Sequence, residues 1–196
     1  MLYPIIMAGG AGTRLWPIST KSKPKQVYPL FDDETLLQKT WKRLRRGFPA
    51  ERIFVSTGTG LSEEVCRQVP RHPSDNCVIE PARRGTAPAL GLALLKLYKR
   101  DPCSTFVYIN ADNYIANEKE FIRLLNVAER VVEKKSDHVV LIGVNPTYPE
   151  PGLGYIKMGS PVMSFEHKST KTQKHKNKET KLMKFLKWRN LWKSRI

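Results

Sequence analysis

An α/β fold, with a mostly parallel sheet covered by helices on both faces, is what this sequence predicts, on three observations. Short apolar runs of strand length alternate with stretches of helical periodicity up to about residue 144. The runs are of the buried type that parallel strands need when both faces are covered. The loops 8–14, 80–86 and 110–113 follow three of these runs. Open α/β sheets gather their ligands there, beyond the carboxyl ends of the strands.

Each element follows in order. Residues 3–7 form a short buried strand, and a glycine-rich loop fills 8–13. Residues 34–46 put Leu37, Trp41 and Leu44 at helical spacing, so these three are expected in the core. Residues 52–57 are a second strand, closed by Gly58. Residues 62–68 are a helix that Ser62, ahead of Glu63 and Glu64, is expected to cap. Residues 77–79 are a third strand, and 86–98 a strongly apolar helix whose leucines from Leu90 to Leu97 are expected inside. Residues 105–109 are a fourth strand, ending at Asn110-Ala111-Asp112. Residues 118–134 make a long amphipathic helix and 138–144 a fifth strand. There is no internal repeat. Asp32, Asp33 and Glu34 read as a turn and helix start rather than a second carboxylate site, and the four histidines are scattered.

Composition narrows the function. A chain of 196 residues can bury a real core, hiding roughly 70 % of its unfolded surface. No apolar run approaches the roughly 20 residues that span a bilayer, so no membrane partner is expected. The amino terminus lacks the basic start of a signal peptide. Three cysteines without CxxC spacing suggest neither a disulfide framework nor a zinc site, and the cytoplasm is the expected compartment. The net charge of +16 is uneven. Residues 164–196 carry 11 basic side chains against Glu166 and Glu179.

The glycine-rich loop carries the chemistry. Glycines let backbone N–H groups approach a polyphosphate without Cβ interference. Arg14 offers a guanidinium fork and Lys25 a second positive charge. The loop is no P-loop, since the G-x-x-x-x-G-K-[ST] string does not occur. It is no G-x-G-x-x-G fingerprint either, because Leu15 stands where the last glycine should.

The longer string, Gly9-Gly10-Ala11-Gly12-Thr13-Arg14-Leu15-Trp16-Pro17 and then Pro24-Lys25-Gln26, resembles the signature of sugar-phosphate nucleotidyltransferases, GGxGTRLxP…PK. With Trp16 and Gln26 it is most similar to the mannose-1-phosphate guanylyltransferase branch. Three further stretches agree. Glu80-Pro81-Ala82-Arg83-Arg84-Gly85-Thr86-Ala87-Pro88-Ala89 is similar to EPxxRNTAPA, and Asn110-Ala111-Asp112-Asn113-Tyr114-Ile115 to PADHxI. Gly143-Val144-Asn145-Pro146-Thr147-Tyr148-Pro149-Glu150, followed by Gly152-Leu153-Gly154-Tyr155-Ile156, is similar to GIxPTxPETGYGYI. Gly85 replaces the usual Asn, Asn110 a Pro, Asn113 a His and Pro151 a Thr.

The resemblance implies a Rossmann-like three-layer α/β/α nucleotidyltransferase domain over residues 1–163. It implies GTP and mannose 1-phosphate as substrates, GDP-mannose and pyrophosphate as products, and Mg²⁺. The sugar phosphate would attack the α-phosphorus in line, so positioning and charge neutralisation would carry catalysis without a protein nucleophile. Arg14 and Lys25 would act on the triphosphate, and Ala8, Gly9, Gly10, Gly12 and Thr13 would line it. Glu80, Pro81, Thr86, Ala87 and Pro88 would face the nucleotide base, Gly154 and Tyr155 the sugar, and Asp112 would hold the metal.

Residues 164–196 do not continue the resemblance. They are polar, basic and of low complexity, a composition that builds no core. Read one base out of frame, the codons of residues 183–196 permit E-V-F-E-V-E-K-F-V-E-K-P-D, with Met183-Lys184 and Trp192-Lys193 each forced to Glu. The string contains the family's F-x-E-K-P motif. The tail is therefore expected to be an out-of-frame or disordered segment on an incomplete domain, with weak or absent turnover and low solubility. Two alternatives stay open. One is another sugar-1-phosphate nucleotidyltransferase, using glucose 1-phosphate with UTP or dTTP. The other is a non-catalytic protein whose basic tail binds polyanions such as nucleic acid.

Overall fold

The computed structural model describes residues 1–10, 19, 24–29, 32–149, 151–152, 154–157, 159 and 184–187. The chain divides into two compact units, Met1–Glu129 and Arg130–Ile196.

The first unit is built on four strands, β1 (Leu2–Met7), β2 (Phe54–Gly58), β3 (Cys77–Glu80) and β4 (Thr105–Asn110), in the order β3-β2-β1-β4. All three pairings are parallel, as expected. Met7 pairs with Ser56 on one side and Asn110 on the other, and Gly58 pairs with Glu80. The carboxyl ends of all four strands therefore lie along one edge of the sheet.

Side-chain alternation splits β1 between two cores, since successive strand residues point to opposite faces. Leu2 and Ile6 join Val55 and Ile109 under Leu37, Trp41 and Leu44 of α1 (Leu36–Arg45), Val65 of α2 (Ser62–Gln68) and Leu125 of α4 (Glu118–Lys134). Tyr3 and Ile5 join Phe54 and Val78 under Ala93 and Leu97 of α3 (Thr86–Arg100). A helix layer on each face gives the three-layer order the sequence predicts.

Helix ends follow local chemistry. Thr35 caps α1 in a reciprocal box: its hydroxyl accepts from the Gln38 N–H at 3.1 Å, and the Gln38 side chain accepts from the Thr35 N–H at 2.9 Å. The box lies in the sequence as T-x-x-Q. The turn before it holds too, with Asp32 Oδ1 accepting from the Glu34 N–H at 3.0 Å.

Three expectations need correction. Ser62 does not cap α2. Residues Thr59–Leu61 already form a 3-10 turn, Leu61 takes the cap position, and the Ser62 hydroxyl donates back to the Thr59 carbonyl at 2.9 Å. The apolar helix α3 buries one side only. Leu97 is inside, but Leu92 is 37 % and Leu95 54 % exposed, because the described residues cover only the face that meets the sheet. The fifth strand stops at Leu141 rather than Val144, and it is not in the parallel sheet. In the second unit, β5 (His138–Leu141) pairs antiparallel with β6 (Lys184–Lys187). Four residues of the basic tail are thus strand, while most of the tail lies outside the described residues.

Candidate functional site

Strand order locates the crevice. From β1 the chain moves outward through β2 and β3, then crosses to the other side of β1 as β4. Strand order therefore reverses between β1 and β4, with α1 and α4 packed on the same face, and open α/β sheets bind ligands beyond the carboxyl ends of their strands beside such a reversal.

Residues 8–10 leave β1 at this point. Ala8 is fully buried, and its N–H donates to the Ser56 carbonyl at 2.7 Å, continuing the sheet by one residue. Its carbonyl accepts from Gln26 Nε2 at 3.1 Å and from the Thr57 hydroxyl at 3.4 Å. The same Gln26 amide donates to the Gly10 carbonyl at 2.7 Å. One buried amide thus holds two carbonyls of the glycine loop. Gln26 is itself braced: its carbonyl accepts from the Leu37 N–H at 3.0 Å, and Gln68 Nε2 donates to the Val27 carbonyl at 2.7 Å.

Gly9 faces the end of β3. A Cβ there would come within 3.2 Å of Glu80 Oε1, closer than ordinary packing allows, so glycine permits this approach. Glu80 is buried, and Oε1 also accepts from the Ser56 hydroxyl at 3.3 Å.

Across the reversal, Asp112 follows β4. Its Oδ2 stands 2.5 Å from Lys25 Nζ, with both side chains about one-third exposed. Helix α1 fixes the backbone on either side of Asp112. The Thr40 hydroxyl donates to the Ala111 carbonyl, and Arg43 Nη2 donates to the Asn113 carbonyl, each at 3.3 Å. Arg43 is buried, and desolvation draws its guanidinium below the ordinary arginine range, opposed by Glu118, whose Oε1 lies 3.5 Å from Nε. Glu118 also pairs with Arg46 at 3.0 Å. The Tyr108 hydroxyl donates to Asn110 Oδ1, and burial, then the Asp112 charge, raises the phenol above its ordinary value.

The structure brings Ala8, Gly9, Gly10, Lys25, Glu80 and Asp112 to one edge of the first unit. Gly12, Thr13 and Arg14 lie outside the described residues. Pro81, Thr86, Ala87 and Pro88 are exposed on the approach to α3 and on its opening turn. Gly85 precedes that turn at φ +96° and ψ 178°, a conformation that favours glycine. Gly154 and Tyr155 belong to the second unit, where both are exposed.

Sequence reasoning missed the supports: the buried amide role of Gln26, the hydroxyls of Ser56 and Thr57, and Thr40 with Arg43. Thr40 carried a signal, since a polar residue on the stripe of Leu37, Trp41 and Leu44 asks for a partner.

Among the described residues, no group of three or more His, Cys, Asp or Glu side chains is arranged to hold a metal ion. Asp112 is a hard, partly exposed oxygen donor at the reversal. That suits Mg²⁺, which commonly takes one or two carboxylates and completes its shell with waters and substrate phosphates.

Comparison with known proteins adds independent evidence. The sequence profile of the family described as Nucleotidyl transferase matches residues 3–181. The mannose-1-phosphate guanylyltransferase of Escherichia coli is 37 % identical over 169 residues, 85 % of this chain and 35 % of that protein. The xanthan biosynthesis protein XanB of Xanthomonas campestris pv. campestris is 36 % identical over 160 residues, 81 % of this chain and 34 % of that one. The crystal structure of a mannose-1-phosphate geranyltransferase from Thermus thermophilus superposes with a TM-score of 0.61 at 28 % identity. It covers 68 % of this chain and 38 % of that one. The chain spans about a third of the length of the curated relatives it matches.

Proposed function

The chain belongs to the nucleotidyl transferase family, and from that premise we propose that its site serves the transfer of a guanylyl group from GTP to mannose 1-phosphate, releasing pyrophosphate. The observation that carries this reading is the reversal point itself. A glycine loop held by a buried amide faces a lysine–aspartate pair across the carboxyl ends of β1 and β4. The guanylyltransferase relatives support the choice of guanine and mannose.

The residues divide the work by chemistry. Backbone donors from Gly9 onward, through Gly10, Gly12 and Thr13, cradle the triphosphate, because the Ala8 N–H is already engaged with Ser56. Arg14 and Lys25 neutralise charge on the phosphate oxygens as pyrophosphate departs. Glu80, Pro81, Thr86, Ala87 and Pro88 form the base side, and the sugar role of Gly154 and Tyr155 rests on the motif they match. Asp112 is the carboxylate for Mg²⁺, which when bound supplies positive charge to the phosphates. No protein nucleophile is required, since the sugar phosphate oxygen attacks directly.

Titration calorimetry of this chain with GTP, UTP and dTTP, with and without Mg²⁺, tests the reading. The expected result is Mg²⁺-dependent binding of GTP at least tenfold tighter than of the other two. Preference for UTP or dTTP would move the assignment to a glucose-1-phosphate enzyme. No binding of any of the three overturns the nucleotide site. The compartment that fits this chemistry is the cytoplasm, where nucleoside triphosphates are held.

A further inference from the structure

Cys66 and Cys77 are 11 residues apart, on α2 and at the first position of β3, and the fold brings their sulfurs to 3.0 Å. A disulfide needs about 2.05 Å, so closure requires the sulfurs to approach by roughly 1 Å. Both are free thiols, with Cys66 exposed and Cys77 buried. Cys103 sits exposed on the connection between α3 and β4. We propose that Cys66 and Cys77 form a dithiol that a hydroperoxide oxidises to an intrachain disulfide joining α2 to β3.

Accessibility assigns the order of events. Cys66 meets the oxidant: the O–O bond of the peroxide breaks, one oxygen goes to Cys66 as sulfenic acid, and the other leaves as water from hydrogen peroxide or as the alcohol from an organic hydroperoxide. The Cys77 sulfur then attacks the Cys66 sulfur, and the sulfenic oxygen departs with the Cys77 proton as water. The two thiols lose two electrons and the peroxide gains them. Burial, then the Cys66 hydrogen bond and charge, pushes the Cys77 thiol up to about 12. The Lys96 ammonium favours the Cys77 thiolate, and its Nζ donates to the Cys77 carbonyl at 3.3 Å.

The link would join two supports of the site. Helix α2 carries Gln68, which bonds the Val27 carbonyl and accepts from the Thr35 hydroxyl at 2.6 Å. Strand β3 carries Glu80 at its far end. A crosslink between them constrains the unfolded chain and stiffens the base of the 25–27 segment.

The test uses the whole chain, reduced, desalted and exposed to a small excess of hydrogen peroxide, then alkylated and digested with trypsin without reduction. The expected product links peptides 53–67 and 72–83, leaves Cys103 alkylated, and reverts with dithiothreitol. The same linkage should form in Cys103→Ser and be lost in Cys66→Ser and Cys77→Ser. Thermal unfolding should rise by about 5–10 °C on oxidation. The chain unfolded in guanidinium should instead give mixed pairings. The proposal is overturned if the folded chain gives that same mixture, links through Cys103, forms intermolecular dimers, or carries Cys66 to sulfinic acid with Cys77 still alkylatable. None of these readouts depends on nucleotide binding.

Discussion

Lys25 Nζ and Asp112 Oδ2 lie 2.5 Å apart across the point where strand order reverses, so each neutralises the other in the free protein. In the proposed reaction the ammonium would instead serve a phosphate, and the carboxylate would hold Mg²⁺. The pair is about one-third exposed, and such pairs contribute under about 1 kcal/mol to stability. Lys25→Met and Asp112→Asn should therefore shift thermal unfolding by no more than about 3 °C. Each should weaken GTP binding in Mg²⁺ by about 10- to 100-fold, the value of a charge-assisted contact. Asp112→Asn should also remove the Mg²⁺ dependence. Calorimetry on the two variants decides it, and unchanged affinity in both would remove the pair from the site.

Gln26 has the opposite profile. It is 3 % exposed, and its amide donates to both the Ala8 and Gly10 carbonyls. Gln26→Leu keeps the volume and leaves the Gly10 carbonyl without that donor. The expected loss is about 1–3 kcal/mol of unfolding free energy, read from urea titration, together with weaker GTP binding. A variant as stable as the parent would show that the amide is not what holds the loop.

The difference between these two residues shows what the sequence could convey. Asp112 stood out because a carboxylate just beyond a strand lies where open sheets gather ligands, and Lys25 through the Pro24-Lys25-Gln26 string, but nothing local said that the two would pair. Gln26 was legible only as a letter in a motif, since nothing local says which carbonyls a buried amide will meet 16 and 18 residues away. Helix α4 was readable end to end because its apolar stripe is sustained for 17 residues. Strand β5 was misplaced because a short apolar run states that a strand exists, not which partner it takes. Leu92 and Leu95 misled for a related reason: an apolar helix does not say how many of its sides find a neighbour.

Gly85 gives a test of backbone against side chain. Its φ of +96° with ψ near 178° lies where only glycine is at ease, and no atom within 4 Å would obstruct a Cβ. Gly85→Ala therefore isolates conformational strain from crowding. The substitution should reduce stability by about 1–3 kcal/mol, or drive the loop before α3 into another conformation. Urea unfolding measures the first, and faster amide exchange over residues 81–89 measures the second. Neither change appearing would mean the turn accepts an ordinary residue.

His72 sets a pH dependence whose sign can be worked out. Its ring packs edge-on against Trp41 with centroids 5.3 Å apart, and Nε2 lies 3.0 Å from the Ile53 carbonyl, to which it donates. Burial, reinforced by the Lys96 charge, holds its pKa below the ordinary 6.5, while the carbonyl partly opposes the shift. Above 6.5 the ring is neutral in both folded and unfolded chains and contributes no slope. Below it, the unfolded chain takes up the proton first, so the stability present at neutral pH is lost as pH falls through the depressed value. His72→Gln retains an N–H donor for the Ile53 carbonyl but cannot titrate. Between pH 7 and 5 the parent should therefore lose more unfolding free energy than the variant, by up to about 1–2 kcal/mol. Urea titrations of both at the two pH values measure the gap. Parallel losses would place the acid sensitivity elsewhere, and a larger loss in the variant would reverse the assigned shift.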